Sequence, residues 1–307
     1  MPPLFAERHM RAVLGLLAIA AGLAAAKVAW SQDSSNGLPA VSPDGRRIAF
    51  VGKRDGQEHL FVAEASGRNE HAVSLPSFDG AAPHWNAAGE LLVAGARADS
   101  GKILAIPPGG GAPRIVADVP GRAPRLSPDG RRVLYLLGPW TSTAIAVAGP
   151  DGSNARVIAG GGATAWNGAW SPDGAAIAYT YGDSSRRLQV HIVNSDGSGD
   201  RAVTHTTPEE GSAQMPAWSP DGRYLAIQVN NHRDHSSAIW VVDLSSGKAR
   251  VISPAGASAL DETPSWFPDG TRVAFQSNRT GSMQVWIMNA DGSNPRQVTG
   301  RPDSPGR

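Results

Sequence analysis

Four copies of the tetrapeptide Ser-Pro-Asp-Gly, at 42–45, 127–130, 171–174 and 219–222, constrain this chain more than anything else in it. Phe267-Pro268-Asp269-Gly270 is a near copy, and Trp85-Asn86-Ala87-Ala88-Gly89 keeps the frame without the Pro and Asp. The closing glycines Gly45, Gly89, Gly130, Gly174, Gly222 and Gly270 are 44, 41, 44, 48 and 48 residues apart. Proline presets φ for the first central position of a turn, aspartate bonds nearby backbone N–H groups, and glycine accepts the left-handed conformation that closes a hairpin. Repetition therefore marks Asp44, Asp129, Asp173, Asp221 and Asp269 as turn chemistry and not as five catalytic acids.

The rest of each unit is equally regular. An apolar residue precedes each turn, at Val41, Trp85, Leu126, Trp170, Trp218 and Trp266, and four of these are tryptophans able to fill the gap between adjacent sheets. An apolar strand follows the turn, as in Ile177-Ala178-Tyr179, then a polar hairpin, then a third strand such as Val285-Trp286-Ile287. A second turn carries Gly67, Gly110, Gly152, Gly197, Gly247 or Gly292, and a short strand such as Arg201-Ala202-Val203-Thr204 closes the unit. Six repeats of four antiparallel strands, with no helical period, predict an all-β fold: a six-bladed β-propeller of four-stranded antiparallel blades. The blades fall near 38–76, 77–119, 120–161, 162–206, 207–255 and 256–300. No strand is left over for sharing, so blades 1 and 6 are expected to meet by side-chain packing alone. Arg114, Arg156, Arg201, Arg250 and Arg296 recur in the outer strands, where long cations blunt an exposed sheet edge.

Arg8, His9 and Arg11 precede an apolar run from Val13 to Ala26. The run has the length of a signal-peptide core and is short for a membrane span. Cleavage after Ala26 or after Ser31 fits the small-x-small rule, and translation from Met10 would give a tighter version of the same signal. The expected layout is a signal peptide over 1–31, a linker over 32–37, the propeller over 38–300 and a disordered tail over 301–307. The expected location is periplasmic or secreted, with an uncleaved N-terminal anchor as the rival; no stable membrane span remains after processing.

The strings Trp266-Phe267-Pro268-Asp269-Gly270, Ser277-Asn278-Arg279 and Asn289-Ala290-Asp291-Gly292-Ser293-Asn294 resemble the repeat of the TolB-type propeller family, over residues 38 to 300. Leu260-Asp261-Glu262-Thr263-Pro264-Ser265 is similar to a stretch in that family's propeller. The resemblance implies a periplasmic propeller that docks a protein partner at one mouth of its channel. The α/β domain that precedes the propeller in TolB is not expected here, because the first blade begins soon after Ala26.

Catalytic motifs are missing: there is no Gly-x-Ser-x-Gly elbow, phosphate loop or dinucleotide fingerprint. With no cysteine in 307 residues, disulfides and thiolate zinc sites are excluded. A net charge of +1 gives no footprint for nucleic acid. Asp79, Glu209, Glu210, Asp261 and Glu262 all fall in connections from an outer strand to the next inner strand, with Asn167 and Gln214 similarly placed. Such connections meet around the axis, so these residues, with His84, are expected to form an acidic recognition rim at the channel mouth. His232 and His235 form His-x-x-His on a loop, a spacing that could place two imidazoles on one metal, although a solvated loop explains it as well. The function expected is that of a protein- or peptide-binding scaffold of the cell envelope, without a cofactor and without catalysis. The alternative is a metal-dependent polysaccharide lyase or hydrolase that recruits His232, His235 or His205 with channel carboxylates.

Overall fold

The structure, a computed structural model, describes residues 35–300 apart from 55, 74, 76–81, 95–100, 140, 161–163, 183–186, 208 and 254–258. The expected signal peptide, the tail and Asp79 lie outside the described residues. Six sheets of four antiparallel strands form a ring, each sheet drawing its strands from consecutive sequence. Blade 5 is representative: its inner strand Ser212–Trp218 pairs with Tyr224–Asn230, then Ser237–Asp243, then the outer strand Ala249–Val251. The other inner strands are Asn36–Val41, His84–Trp85, Arg122–Leu126, Thr164–Trp170 and Asp261–Trp266. No helix occurs among the described residues, so none is long and apolar enough to cross a membrane.

The first turn of each blade is locked as its sequence dictates. In blade 1 the Ser42 hydroxyl donates to Asp44 Oδ1 at 2.5 Å, the Arg46 N–H donates to the same oxygen, and the Arg47 N–H donates back to Ser42 Oγ. Ser127 with Asp129, Ser171 with Asp173 and Ser219 with Asp221 repeat the arrangement. The serine hydroxyl above all, with the backbone N–H, holds these four carboxyls below the usual aspartate range. Blade 6 has Phe267 in place of the serine, and Asp269 takes Thr271 instead, through both its N–H and its hydroxyl.

The apolar cores lie between blades. One cluster joins Leu134 and Ile145 of blade 3 to Ile177 and Tyr179 of blade 4; another joins Phe50 and Phe61 of blade 1 to Phe267 and Val285 of blade 6. The tryptophans before the turns add a directional bond at each seam they occupy. Trp85 Nε1 donates to the carbonyl of Ala40 in the preceding blade (2.9 Å), Trp170 to Arg125, Trp218 to Ala169 and Trp266 to Ala217. Three of the outer-strand arginines are also seam groups. Arg156 reaches the Ser195 carbonyl, Arg250 that of Ala290 and Arg296 that of Ala65, each in the third-to-fourth-strand turn of the following blade.

The join between blades 6 and 1 involves no shared strand among the described residues, but side-chain packing is not the whole of it. The Asn36 N–H donates to the Met283 carbonyl at 2.8 Å, as Ala165 donates to Thr143 between blades 4 and 3. Asn36 Nδ2 and Thr299 Oγ1 both donate to Gln284 Oε1 at 2.8 Å, so the two ends of the described chain meet on one side chain.

Every inner strand except the short one of blade 2 also carries a bulge. The register against the second strand slips between Gly37 and Ala40, Trp166 and Ala169, Gln214 and Ala217, and Glu262 and Ser265, and slips likewise opposite Arg122–Leu126. Leu38, Ala123, Asn167, Met215 and Thr263 stand at these bulges with φ between 47° and 55°. A bulge frees a backbone N–H from the ladder, and a polar side chain of the preceding blade takes it: Gln276 for Leu38, Thr180 for Met215 and Gln228 for Thr263.

Candidate functional site

The inner strands wall a central cavity of about 560 Å³, within the range of ligand pockets. It runs from the bulge residues to the face that carries the Ser-Pro-Asp-Gly turns, where Pro43, Pro128 and Pro220 border it. The wall is mostly small and apolar, with Trp85, Trp170, Trp218 and Trp266 as its large members. Among the described residues, Arg125 is the only charged one in it.

Of the expected rim residues, His84 and Asn167 line this cavity. Of the expected carboxylates, the four described ones, Glu209, Glu210, Asp261 and Glu262, do not line it. Asp261 is fully buried and ion-paired with Arg279 at 2.6 Å. Glu262 accepts from Gln276 Nε2 (2.8 Å) and more distantly from Gln228 and Ser237; burial raises its carboxyl despite those bonds. Gln214 is buried, at the start of the bulge in blade 5. Glu209 and Glu210 are exposed, the first near Arg233 at 3.6 Å and the second capping a turn through the Thr207 N–H. These side chains precede the bulges, whereas the cavity lies beyond them toward the turn face.

The metal candidates of the alternative reading, His232 and His235, stand on a polar loop. His232 Nε2 is 2.8 Å from Ser212 Oγ, His235 sits in an exposed left-handed turn with φ 57°, and the intervening Asp234 caps Ser236. No group of three potential metal ligands occurs among the described residues. His205 is exposed.

Arg125 and His84 form the polar centre of the cavity. They occupy one position in the repeat, five residues before the turn glycine, where the other blades have Ala40, Ala169, Ala217 and Ser265. Arg125 Nη1 donates to His84 Nδ1 at 2.8 Å and to the Ala82 carbonyl at 3.3 Å. A guanidinium stays charged, so the ring nitrogen facing it must accept, which assigns a neutral His84 protonated on Nε2. Burial, and then the Arg125 charge, hold His84 well below the usual imidazole range against the pull of the Pro83 carbonyl. Burial brings Arg125 down to about 10, still protonated at neutral pH. Sequence reasoning found His84 and passed over Arg125. The signal available was the break in the series: one arginine among small residues at a fixed repeat position.

Comparison with known proteins agrees with this architecture. The family model for the TolB β-propeller domain matches residues 138–304, and that for the lipoprotein LpqB β-propeller domain matches residues 18–159. No curated protein matches the chain. Among solved structures, a TolB from Agrobacterium tumefaciens is 22% identical over 75% of this chain and 84% of its own, with a TM-score of 0.61. TolB from Acinetobacter baumannii is 20% identical over 82% of this chain and 63% of its own, with a TM-score of 0.65. An oligogalacturonate lyase in complex with manganese is 14% identical over 86% of this chain and 77% of its own, with a TM-score of 0.58. At these identities the likeness speaks to the fold alone.

Proposed function

Since the chain belongs to the TolB β-propeller domain family, we propose that it works as an exported binding scaffold which takes a peptide segment of a partner protein into the turn-face cavity. The observation that carries this reading is the cavity itself: all six blades contribute to one apolar, aromatic-walled recess with a few convergent polar groups. Such a recess suits anchoring side chains of a peptide, and rigid tryptophans lose little entropy on contact. Export is supported by the charged-then-apolar N-terminus and by the family model named for a lipoprotein. The role proposed is binding without catalysis.

The test uses Ala87, an exposed residue at the cavity border. Envelope extracts are passed over the full chain and over Ala87→Arg, and bound proteins are identified by cross-linking and mass spectrometry. The reading expects a partner cross-linked at the cavity in the parent and lost in the variant at unchanged Tm. Equal retention by both would remove the cavity as the site.

A further inference from the structure

We propose that the cavity selects an anionic peptide, one that presents a carboxylate to the free edge of the Arg125 guanidinium. The inference rests on the peptide-scaffold reading and adds the charge of the occupant.

Three observations lead to it. First, among the described residues the cavity wall contains neither a carboxylate nor a lysine to balance Arg125, and His84 beside it is neutral. Second, only Nη1 of the guanidinium is engaged; Nε–H and Nη2 have no partner among the described residues. That remaining edge, with parallel N–H groups, is the one that matches two carboxylate oxygens. Third, Arg125 is half-buried, where a cation without a counter-charge is costly and a bound anion gains accordingly. Burial has already brought its ionisation down to about 10, in line with that cost.

A purely structural role accounts for part of this. Leu126 stands where four other blades have a tryptophan, so the seam between blades 2 and 3 lacks an indole bond, and Arg125 Nη1 supplies bonds across that same seam. The seam accounts for Nη1 and leaves Nε and Nη2 unexplained. A peptide fits better than a small anion, because the surrounding tryptophans and prolines offer apolar contact to neighbouring side chains.

The experiment is selection from a displayed random heptapeptide library against the full chain, in two formats, one with a free peptide C-terminus and one with it blocked. The variants are Arg125→Met and Arg125→Met with Leu126→Trp, the second returning an indole to the seam should the first fail to fold. Enrichment of Asp and Glu in both formats would identify a side-chain carboxylate; enrichment in the free format alone would identify the terminal one. Either way, a selected peptide should lose about tenfold or more in affinity to the folded variants, the size of a charge-assisted bond. Replacing its acidic residue by the amide should cost the parent as much and the variant nothing further. Selection of neutral or basic peptides that Ala87→Arg abolishes would overturn the anionic assignment and keep the scaffold. Unchanged affinity in Arg125→Met, with only a lower Tm, would reduce Arg125 to a seam staple. Failure of the folded parent to select any peptide would remove the scaffold reading and this inference together.

Discussion

Thr263 holds a β-branched side chain at φ 51°, and its buried hydroxyl finds no partner among the described residues. The left-handed region costs an L-residue roughly 1–2 kcal/mol, and glycine almost nothing. Thr263→Gly should therefore raise Tm by about 2–4 °C in a domain of this size, read by calorimetry. The turn aspartates make the opposite kind of prediction. Their carboxyls are held low in the folded state, so the stability they contribute is present above the unfolded aspartate range and is lost as pH falls through the folded value. Asp221→Asn should lower Tm at pH 7 and lower it less near pH ~2, as protonation of the parent's carboxyl removes the carboxylate's contribution. An equal loss at both values would refute the carboxylate's role. Residues of this kind were legible because five blades repeat them. The bulges were not read, although proline stands one residue after the bulge residue in four blades, at Pro39, Pro124, Pro216 and Pro264. A proline cannot donate to a ladder, so its recurrence in a strand was the available signal.

Between elements, what matters is which blade a side chain serves. Trp218 packs in the seam of blades 4 and 5 and donates to Ala169 across it. Trp218→Phe keeps most of the apolar contact and should cost about 1 kcal/mol through the unpaired carbonyl, whereas Trp218→Ala should cost about 3–5 kcal/mol, both by denaturant unfolding. The Arg279–Asp261 pair is a sharper case, since Asp261 is wholly buried. Arg279→Met should cost about 3–5 kcal/mol, and adding Asp261→Leu should recover most of that loss. No recovery would mean that the pair is not what stabilises this end of blade 6. The fold was legible at this scale because spacing and turn chemistry are properties of each repeat. The candidate site was legible only in part: connections do converge on the axis, but whether Asp261 or Glu262 faces solvent depends on Arg279 and Gln276 further along the chain, and on Gln228 of the preceding blade. One blade's sequence does not disclose its neighbour's claims.

At the scale of the whole molecule, five seams are crossed by the chain itself and the sixth, among the described residues, by hydrogen bonds and packing alone. That seam uses Asn36, Leu38 and Val41 of blade 1 against Met283, Gln276 and Ser265 of blade 6, with Arg296 bound to Ala65. A circular permutant that joins residue 300 to residue 35 and opens the exposed turn at Gly247 would close through a full strand ladder in blade 5. It should unfold more slowly than the parent in a chevron experiment; an unchanged unfolding rate would show that the natural join is not the first to open. Because both ends emerge beside Gln284, anything anchored through one tail and loaded through the other would pull directly on that join. A tug at the termini would then act as a latch release, parting the ring where no covalent thread holds it and distorting the central recess before any single blade is stretched.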